Sequence, residues 1–462
     1  MERYERYHIK IKKMPPLFKI PHKYEPIVNK FELFKMITGE FFHNLKEGLK
    51  KRKLKDYIKL TFSRPCKYGV FSGRFGGFKP IKEKCVRCFE CKIEYPKVIK
   101  DVIINPHYKV LEKFNLSMED IDTILFESET GMEKVSGMGY KGPFVGKGFD
   151  SIWLDMSEIV RPTRDGKEGR EYISTETQIG RKVKKFGEGI SKTVTVQIPV
   201  IFEYEPLKDD NFHRILSCAA YEAGTFYILG ISNFKKLERD YKNIFPLFKR
   251  EEKIEVVSSK IVEFEIEEND DIKILEELKK INDKSIMIAR IKAKGDFKEL
   301  IYFVLNEGAE GIHLVFKRNG YAFDNKKHLT EILRDLNKDL IEKGIRSQIT
   351  LIVSGGINKA EHVPKAIGCG ADLVAIDIPL HIALQSEFKE RDDEYEIILK
   401  KLNFDWGKQR ILNLLSAWHE QLIEALSAMG KRDVRRLVGD YGRLIFFEEI
   451  FEESFAGIER VK

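Results

Sequence analysis

The second half of the chain alternates short apolar runs with helical stretches. The apolar runs are rich in β-branched residues and lie at Val196–Phe202, Phe226–Ile231, Ile286–Ile291, Ile312–Phe316, Ile349–Val353 and Leu373–Ile376. Between them, apolar positions recur with the helical period, as in Ile274–Ile281 and Leu329–Lys343. Strands that alternate with helices predict βαβ units and a parallel sheet that is buried on both faces.

The number of predicted strands favours a closed sheet. Counting one strand within Ile254–Val257 and Val262–Ile266 brings the total close to eight, the number found in a TIM-type (β/α)8 barrel. We therefore predict an α/β fold with such a barrel over residues 196–405 and connecting residues 111–195 before it. An open doubly wound sheet is the alternative.

Residues 406–462 are predicted to be C-terminal helices. One apolar stripe follows the three-to-four spacing of a buried helical face and comprises Ile411, Leu414, Leu415, Trp418, Leu422, Leu426 and Met429. Gly430 directly follows the stripe and is a typical helix stop. We expect this helix to seal one end or side of the barrel.

The N-terminal part of the chain lacks this regularity. Residues 1–60 form a basic lead-in that is interrupted by Pro15, Pro16 and Pro21. Residues 61–110 are rich in glycine and hold a group of cysteines, which predicts a small loop-rich module. Composition supports a folded chain of two or three domains, since 42% of the 462 residues are hydrophobic and 33% are charged.

Charge and targeting signals narrow the class of protein. The net charge is +8, but basic residues are mixed with acidic ones except at Lys46–Lys55, which favours an acidic protein partner over nucleic acid. The start MERYERYHIK lacks the apolar run of a signal peptide. No stretch approaches the roughly 18 to 20 apolar residues of a membrane span. A cytoplasmic protein without a membrane partner is therefore expected.

Four of the six cysteines form a candidate metal site. Cys85, Cys88 and Cys91 have C-x2-C-x2-C spacing, which lets one tight loop aim several thiolates at one centre, as a 4Fe–4S cluster requires. A complete ferredoxin run would place a fourth cysteine where Tyr95 stands, so Cys66 is the candidate fourth ligand. Zinc, a three-iron cluster and no metal at all are the alternatives. Such thiols are expected to bind metal or do chemistry in a reducing compartment.

The segment from Ile349 to Asp377 predicts an anion site at one end of the barrel. Ser354, Gly355 and Gly356 follow a strand, where glycines let backbone N–H groups approach a phosphate closely. Asn358 and Glu361 have capping-box spacing and predict a helix N-terminus aimed at the site. A plain strand-to-helix turn is the alternative. Asp377, at the end of the next strand, would repel phosphate unless it turns away to cap the following helix.

Three blocks of sequence resemble a known family. GFDSIWLDMSEIVRPTRDGKEGREYIST, which begins at Gly148, looks like the segment before the barrel in the synthase domain of glutamate synthases. SGGINKAEHVPKAIGCGADLVAID and LLSAWHEQLIEALSAMGKRDVRRLVGD resemble the archaeal-type proteins of that family. The resemblance runs from about residue 61 to the C-terminus and is specific in these blocks.

The resemblance implies an iron–sulfur flavoprotein oxidoreductase. Electrons would enter through the cluster from a donor protein such as a ferredoxin, pass to FMN, and reduce 2-iminoglutarate to glutamate. Ser354, Gly355 and Gly356 would hold the FMN phosphate. Arg290 falls where the family has a strand lysine near the flavin, and a cation there stabilises the reduced ring. The resemblance identifies no catalytic residue.

The chain also departs from the family pattern. IPVIFEYEPLKDD and IKAKGDFKEL stand where the family has glycine-rich loops that position flavin and substrate. The start Met1-Glu2 offers no N-terminal cysteine nucleophile, so ammonia is expected from a separate glutaminase subunit or from solution. A non-catalytic electron-transfer or scaffold subunit is thus the first alternative, and a barrel oxidoreductase with another substrate is the second.

A block of arginines precedes the barrel. Arg161, Arg164 and Arg170 are interleaved with acidic residues. A salt-bridged linker is the favoured interpretation, because the acids balance the arginines locally. Recognition of a dicarboxylate by guanidinium groups is the alternative.

Overall fold

A computed structural model describes residues 9–17, 22–46, 66–134, 146–156, 172–180, 192–250, 252–391 and 394–447. The chain forms two compact units, each with its own core. The barrel unit comprises Met1–Pro15, Glu119–Ser386 and Leu399–Lys462, and the cysteine unit comprises Pro16–Met118 and Glu387–Ile398.

The described residues contain both strands and helices. The strands are β1 (Tyr24–Val28), β2 (Ile99–Ile104), β3 (Ile152–Leu154), β4 (Thr177–Gly180), β5 (Thr193–Val196), β6 (Val200–Phe202), β7 (Tyr227–Gly230), β8 (Ile244–Phe248), β9 (Ile261–Ile266), β10 (Ile286–Lys292), β11 (Gly311–Val315), β12 (Thr350–Ser354), β13 (Leu373–Ile376), β14 (Glu387–Arg391), β15 (Glu394–Ile398) and β16 (Leu444–Phe446). The α-helices are α1 (Lys30–Lys46), α2 (Glu90–Glu94), α3 (Pro106–Lys109), α4 (Met118–Thr130), α5 (Asp210–Glu222), α6 (Ile231–Leu237), α7 (Ile272–Ile281), α8 (Phe297–Asn306), α9 (Leu329–Glu342), α10 (His362–Gly368), α11 (Ile378–Ala383) and α12 (Phe404–Ala428).

Strands β6 to β13 form a closed, all-parallel barrel. Each strand pairs with its neighbour in the chain, and β13 pairs with β6 to close the sheet. Its lower lumen is filled by inward-facing apolar side chains, among them Ile201, Ile261, Ile288 and Ile352. The predicted (β/α)8 barrel is therefore confirmed, and the open sheet is excluded.

An antiparallel hairpin closes the N-terminal end of the barrel. Strands β4 and β5 pair with each other, and Ile179 and Val196 join the core of the lumen. Gly180 donates its N–H to Thr350 Oγ1 over 3.0 Å, at the first residue of β12. A Cβ at Gly180 would lie 2.1 Å from the carbonyl oxygen of Lys192, so the close pairing of the hairpin requires glycine there.

The predicted C-terminal helix is α12. Asn403 caps it by accepting a hydrogen bond from Trp406 N–H, and Gly430 follows its end with a φ of +68°. The whole predicted stripe is buried, and α12 packs beside α5 on the side of the barrel. The buried guanidinium of Arg410 donates to the carbonyl oxygen of Met14 over 2.8 Å and to Ser128 Oγ over 3.0 Å. The prediction that this helix covers the barrel is confirmed.

Two local predictions are wrong. Strand β8 was not predicted, because Pro246 interrupts its apolar run and proline is unusual inside a sheet. The capping box at Asn358 and Glu361 does not form, since α10 begins only at His362 and Glu361 is its N-cap without a side-chain bond.

The cysteine unit is built around a small apolar core. Strands β1 and β2 pair antiparallel, and Leu33, Val70 and Phe71 are buried together with Ile99 beneath them. Strands β14 and β15 form an antiparallel hairpin in the same unit. Among the described residues of either unit, no helix is long and apolar enough to span a membrane.

Candidate functional site

The four candidate cysteines line one pocket in the cysteine unit. Cys66, Cys85, Cys88 and Cys91 line a small open pocket together with Tyr68, Val70, Phe71, Val86, Arg87 and Phe89. Cys66 and Cys91 are buried, Cys85 is half-buried and Cys88 is exposed. The structure thus places the sequence-distant Cys66 beside the three clustered cysteines.

The backbone of the cysteine loop turns sharply between its cysteines. Arg87 and Phe89 both adopt left-handed conformations, with φ near +60°, which costs free energy for residues other than glycine. The Arg87 guanidinium lies over the rings of Phe89 and Tyr24, 5.4 Å and 5.9 Å from their centroids. The loop therefore keeps a strained shape that directs several sulfurs into one cavity.

The thiol environment suits a bound cation. Burial, together with the neighbouring cysteines, raises the pKa of Cys91 to about 11. Burial also raises the pKa of Cys85. Gathering several thiolates here is unfavourable without positive charge at their centre, which an iron–sulfur cluster or a metal ion supplies.

A second candidate site lies at the upper, C-terminal level of the barrel lumen. On several strands, the residue at this level stands two positions after an inward-facing apolar residue and therefore also points into the lumen. These pairs are Ile201 and Glu203, Ile261 and Glu263, Ile288 and Arg290, Ile352 and Ser354, and Ala375 and Asp377. Polar groups at the C-terminal face of such a barrel stand where barrel enzymes place their active sites.

Three of these lumen side chains, together with His313 on β11, form an ion quartet, defined as Glu203, Glu263, Arg290 and His313. Arg290 donates to Glu203 Oε1 over 2.6 Å and to Glu263 Oε1 over 3.0 Å. His313 Nδ1 lies 2.7 Å from Glu263 Oε1, and its Nε2 lies 3.3 Å from Glu203 Oε2. Two acids and two bases make the quartet neutral when His313 is protonated.

The quartet favours the charged forms of Glu203 and His313. Burial favours the neutral acid, but the charges of Arg290 and His313 hold the pKa of Glu203 well below its usual value. Burial likewise opposes protonation of His313, yet Glu263 and Glu203 raise the pKa of its imidazole. Mutual attraction in a weakly polar interior therefore outweighs desolvation for both groups.

A group of rim residues, Glu205, Arg318, Asp377 and His381, lies above the quartet. Arg318 reaches Glu205 Oε1 at 3.2 Å and Asp377 Oδ2 at 3.0 Å. Asp377 Oδ1 also accepts a hydrogen bond of 2.7 Å from Ile378 N–H and caps α11. Burial raises the pKa of Asp377 despite the charge of Arg318. The acid thus turns toward the next helix and an arginine, the arrangement under which it would not repel a phosphate.

The Ser354–Gly356 turn packs against the loop that follows β11. Gly355 and Gly356 have φ values of +100° and +74°, and a Cβ at either would meet backbone of residues 316–320 within 2.7 Å. Ser354 Oγ is buried beside Glu203 and lowers the pKa of that carboxyl group by hydrogen bonding. Packing by itself accounts for both glycines, and the Ser354 hydroxyl is a buried polar group at this turn.

The sequence analysis located part of this site. Ser354, Gly355, Gly356 and Arg290 all lie at the upper end of the barrel, as predicted. Glu203, Glu263, His313 and Arg318 were missed, although charges at inward-facing positions of apolar strands could have indicated them. Arg161, Arg164 and Arg170 lie outside the described residues.

We predict that loss of Arg290 destabilises the protein far more than loss of Lys292, a second cation on strand β10. Replacing Arg290 by Met leaves two buried carboxylates short of a counter-charge and should lower the free energy of unfolding by about 3–5 kcal/mol. Lys292→Met is the matched control, because Lys292 pairs with Glu265 and Glu267 at the surface and should cost only about 0–1 kcal/mol. Urea denaturation followed by circular dichroism measures both. Equal effects would show that the quartet is not a stabilising unit.

Comparisons with known proteins support the resemblance seen in the sequence. No protein-family model matches the chain. The archaeal glutamate synthase [NADPH] of Archaeoglobus fulgidus is 23% identical, over 88% of this chain and 96% of that protein. The archaeal-type glutamate synthase [NADPH] of Thermotoga maritima is 24% identical, over 82% of this chain and 90% of that protein. The archaeal glutamate synthase [NADPH] of Methanocaldococcus jannaschii is 32% identical over 24% of this chain and 23% of that protein.

Solved structures align with the chain only loosely. (S)-Mandelate dehydrogenase covers 64% of this chain and 89% of its own, with 11% identity and a TM-score of 0.44. The assignment of the barrel therefore rests on the strand pairing described above, and the relationship to glutamate synthases rests on the sequence relatives.

Proposed function

We propose that this relative of the archaeal-type glutamate synthases is an iron–sulfur flavoprotein oxidoreductase that converts 2-oxoglutarate and ammonia to glutamate. The reaction forms 2-iminoglutarate with loss of water, and the imine then takes up two electrons and two protons. The observation that carries the proposal is the convergence of four cysteines in a chain that also has a polar barrel mouth. Ammonia would come from a separate glutaminase subunit or from solution.

The spacing of the cysteines supports a 4Fe–4S cluster over zinc. Tetrahedral zinc with Zn–S bonds of about 2.3 Å would hold its sulfurs about 3.8 Å apart. Among the described residues, the group of three potential ligand atoms within 4.8 Å of one another lies elsewhere and contains no cysteine. Cubane clusters bind each thiolate to a different iron atom and so tolerate wider spacing. Cys66, Cys85, Cys88 and Cys91 would be the ligands.

The upper barrel offers groups suited to FMN. The buried Ser354 hydroxyl and the backbone at Gly355 and Gly356 would hold the phosphate, while Asp377 caps α11 and pairs with Arg318. Arg290, at the top of the quartet, would face the ring as a fixed cation. Bound flavin supplies the conversion of single electrons from a cluster into a hydride for the imine. Glu263 and Glu203 favour the protonated form of His313, which together with Arg290 balances the charge of these two carboxylates.

One observation favours a second function. Backbone of residues 316–320, including the carbonyl oxygens of Phe316 and Lys317, lies directly beside the Ser354–Gly356 turn, and the mouth carries four carboxylates. A barrel filled in this way suits a non-catalytic electron-transfer or scaffold subunit that keeps only the cluster. Flavin binding distinguishes the two functions.

The surface beside the cysteines suits an acidic electron donor. Residues 66–100 contain nine basic and three acidic residues, and the exposed Cys88 directly follows the exposed residues Val86 and Arg87. Lys67 and Lys84 are also exposed near the pocket. An apolar contact ringed by positive charge fits an acidic one-electron carrier such as a ferredoxin, because opposite charges speed encounter.

The cluster can be tested directly. Anaerobically reconstituted protein should contain about four iron and four sulfide per chain, measured by colorimetric analysis and electron paramagnetic resonance after reduction. Cys66→Ala should lose or convert the cluster as fully as Cys88→Ala does. Cys218→Ala, in the barrel unit, is the control and should keep it. A full cluster in Cys66→Ala would remove this residue from the ligand set.

Flavin binding tests the choice between the two functions. Titration with FMN, followed by flavin fluorescence, should show one site per chain, and Ser354→Ala should weaken it about tenfold or more, since a hydrogen bond to a charged group contributes roughly 1.5–3 kcal/mol. Ser217→Ala is the matched control, because Ser217 is also buried but lies on α5. Glutamate formation by the FMN-loaded protein would establish the enzyme. Intact cluster without any FMN binding would establish the electron-transfer subunit instead.

Charge reversal tests the donor surface. Lys84→Glu should slow cluster reduction by an acidic ferredoxin by roughly 3–10-fold at low ionic strength, as followed by stopped-flow absorbance. Reduction by dithionite should not change. Lys273→Glu on the barrel unit, where Lys273 is exposed, serves as the control. An identical loss in both variants, or none in either, would contradict docking at the cysteine surface.

A further inference from the structure

A third group of polar side chains lies in the barrel unit, outside both sites described above. Asp150, Glu361 and His362 each offer a ligand atom, and these atoms all lie within 4.8 Å of one another. Asp150 belongs to the turn before β3, and Glu361 and His362 stand at the start of α10. The Glu361 side chain is 40% exposed and His362 is buried. The group therefore runs from the solvent to a buried imidazole.

Only one of the two ring nitrogens of His362 has hydrogen-bond partners among the described residues. Its Nδ1 lies 3.1 Å from the carbonyl oxygen of Gly356 and 3.2 Å from Asn358 N. Its Nε2 is buried and has no hydrogen-bond partner among the described residues. An orphaned buried nitrogen costs about 1–3 kcal/mol, so its presence points to a partner that completes this edge.

Asp150 presents a second orphaned atom. Its Oδ1 is buried and makes no hydrogen bond to the described residues. The surrounding cations lie farther away than a hydrogen bond in good geometry, with Lys359 Nζ 3.6 Å from Asp150 Oδ1 and Lys365 Nζ 3.3 Å from Glu361 Oε2. Stacking of Phe149 on His362, with centroids 4.3 Å apart, fixes the turn that carries Asp150. His362 Nε2 and Asp150 Oδ1 thus lack hydrogen bonds to the described residues, and Asp150 Oδ1 has only a long ion pair with Lys359.

We propose that Asp150, Glu361 and His362 bind a divalent transition-metal ion. One imidazole nitrogen and two carboxylate oxygens suit Zn²⁺, Mn²⁺ or Fe²⁺, with water completing the coordination on the solvent side. Ligand atoms about 2.1 Å from such an ion are roughly 3.0–3.4 Å apart, so binding requires a contraction of about 1–2 Å. This contraction requires rotation of the two acidic side chains, of which Glu361 is 40% exposed and would leave its ion pair with Lys365.

The site links the metal to the Ser354–Gly356 turn. A metal on Nε2 requires the proton on Nδ1, which then donates to the carbonyl oxygen of Gly356 instead of accepting from Asn358 N–H. A bond from the other ring nitrogen to a carbonyl oxygen is the usual outer-shell contact of a metal-bound histidine. This inference is independent of the cluster and of FMN, and goes beyond the proposed function.

Replacing Lys359 tests the proposal, because a metal site and a salt-bridged cluster predict opposite effects on metal binding. Lys359 Nζ lies 3.6 Å from Asp150 and 3.3 Å from Asp120, so it competes with a cation for the same carboxylate. Removing it should tighten metal binding if a site exists. If these residues form only a salt-bridged cluster, Lys359→Met should lower stability and create no binding.

Mn²⁺ is the probe of choice, because thiolates are poor ligands for it and the cysteine pocket will not compete. The full chain, titrated with Mn²⁺ and followed by the resonance signal of the free ion, should bind one ion per chain, and Zn²⁺ should displace it. Asp150→Asn should weaken binding at least tenfold, and Lys359→Met should strengthen it. Asp324→Asn, in a loop distant in sequence, is the control, and thermal melting confirms that each variant is folded.

Three outcomes would overturn the proposal. They are the absence of Mn²⁺ and Zn²⁺ binding at millimolar concentration in both the parent and Lys359→Met, binding that survives Asp150→Asn, and binding that is weaker in a folded Lys359→Met variant.

Discussion

A closed parallel barrel directs every second side chain of each strand into one narrow lumen, and this constraint organises the functional end of the protein. Apolar residues fill the lower levels, so charges placed higher up are removed from water and need opposite charges within the same lumen. Glu203 and Glu263 meet Arg290 and His313 under that condition. Since each carboxylate is shared by both bases, the four residues act as a unit and hold the mouth in one arrangement.

The rim residues above the quartet are arranged by the same need to pair charges within a narrow lumen. Arg318 lies between Glu205 and Asp377, which neutralises part of an acidic rim and turns Asp377 toward the start of α11. The Ser354–Gly356 turn contacts the loop after β11 on one side, and its Gly356 carbonyl contacts His362 on the other. A ligand at this turn and a metal at His362 would therefore influence each other through a single peptide group.

The two compact units contain different candidate sites. In the cysteine unit, a sharply turned loop and a distant cysteine surround one pocket. In the barrel unit, fixed charges stand where barrel proteins bind substrates and cofactors. The alignments cover nearly the whole length of the relatives that are named as glutamate synthases. Both units of this chain therefore belong to the architecture that it shares with them.

The sequence by itself determined the barrel, the covering helix α12 and three of the four cysteines, because periodicity and short-range spacing express these features within a few residues. It also indicated the turn at Ser354 and the resemblance to glutamate synthases. Only the tertiary structure decided that β8 is a strand despite Pro246, that Cys66 joins Cys85, Cys88 and Cys91, and that Asp377 caps a helix. The quartet and the Asp150, Glu361 and His362 group likewise needed the folded chain. Their members come from separate elements, and the closure of the barrel brings them together through long-range packing that no local pattern records.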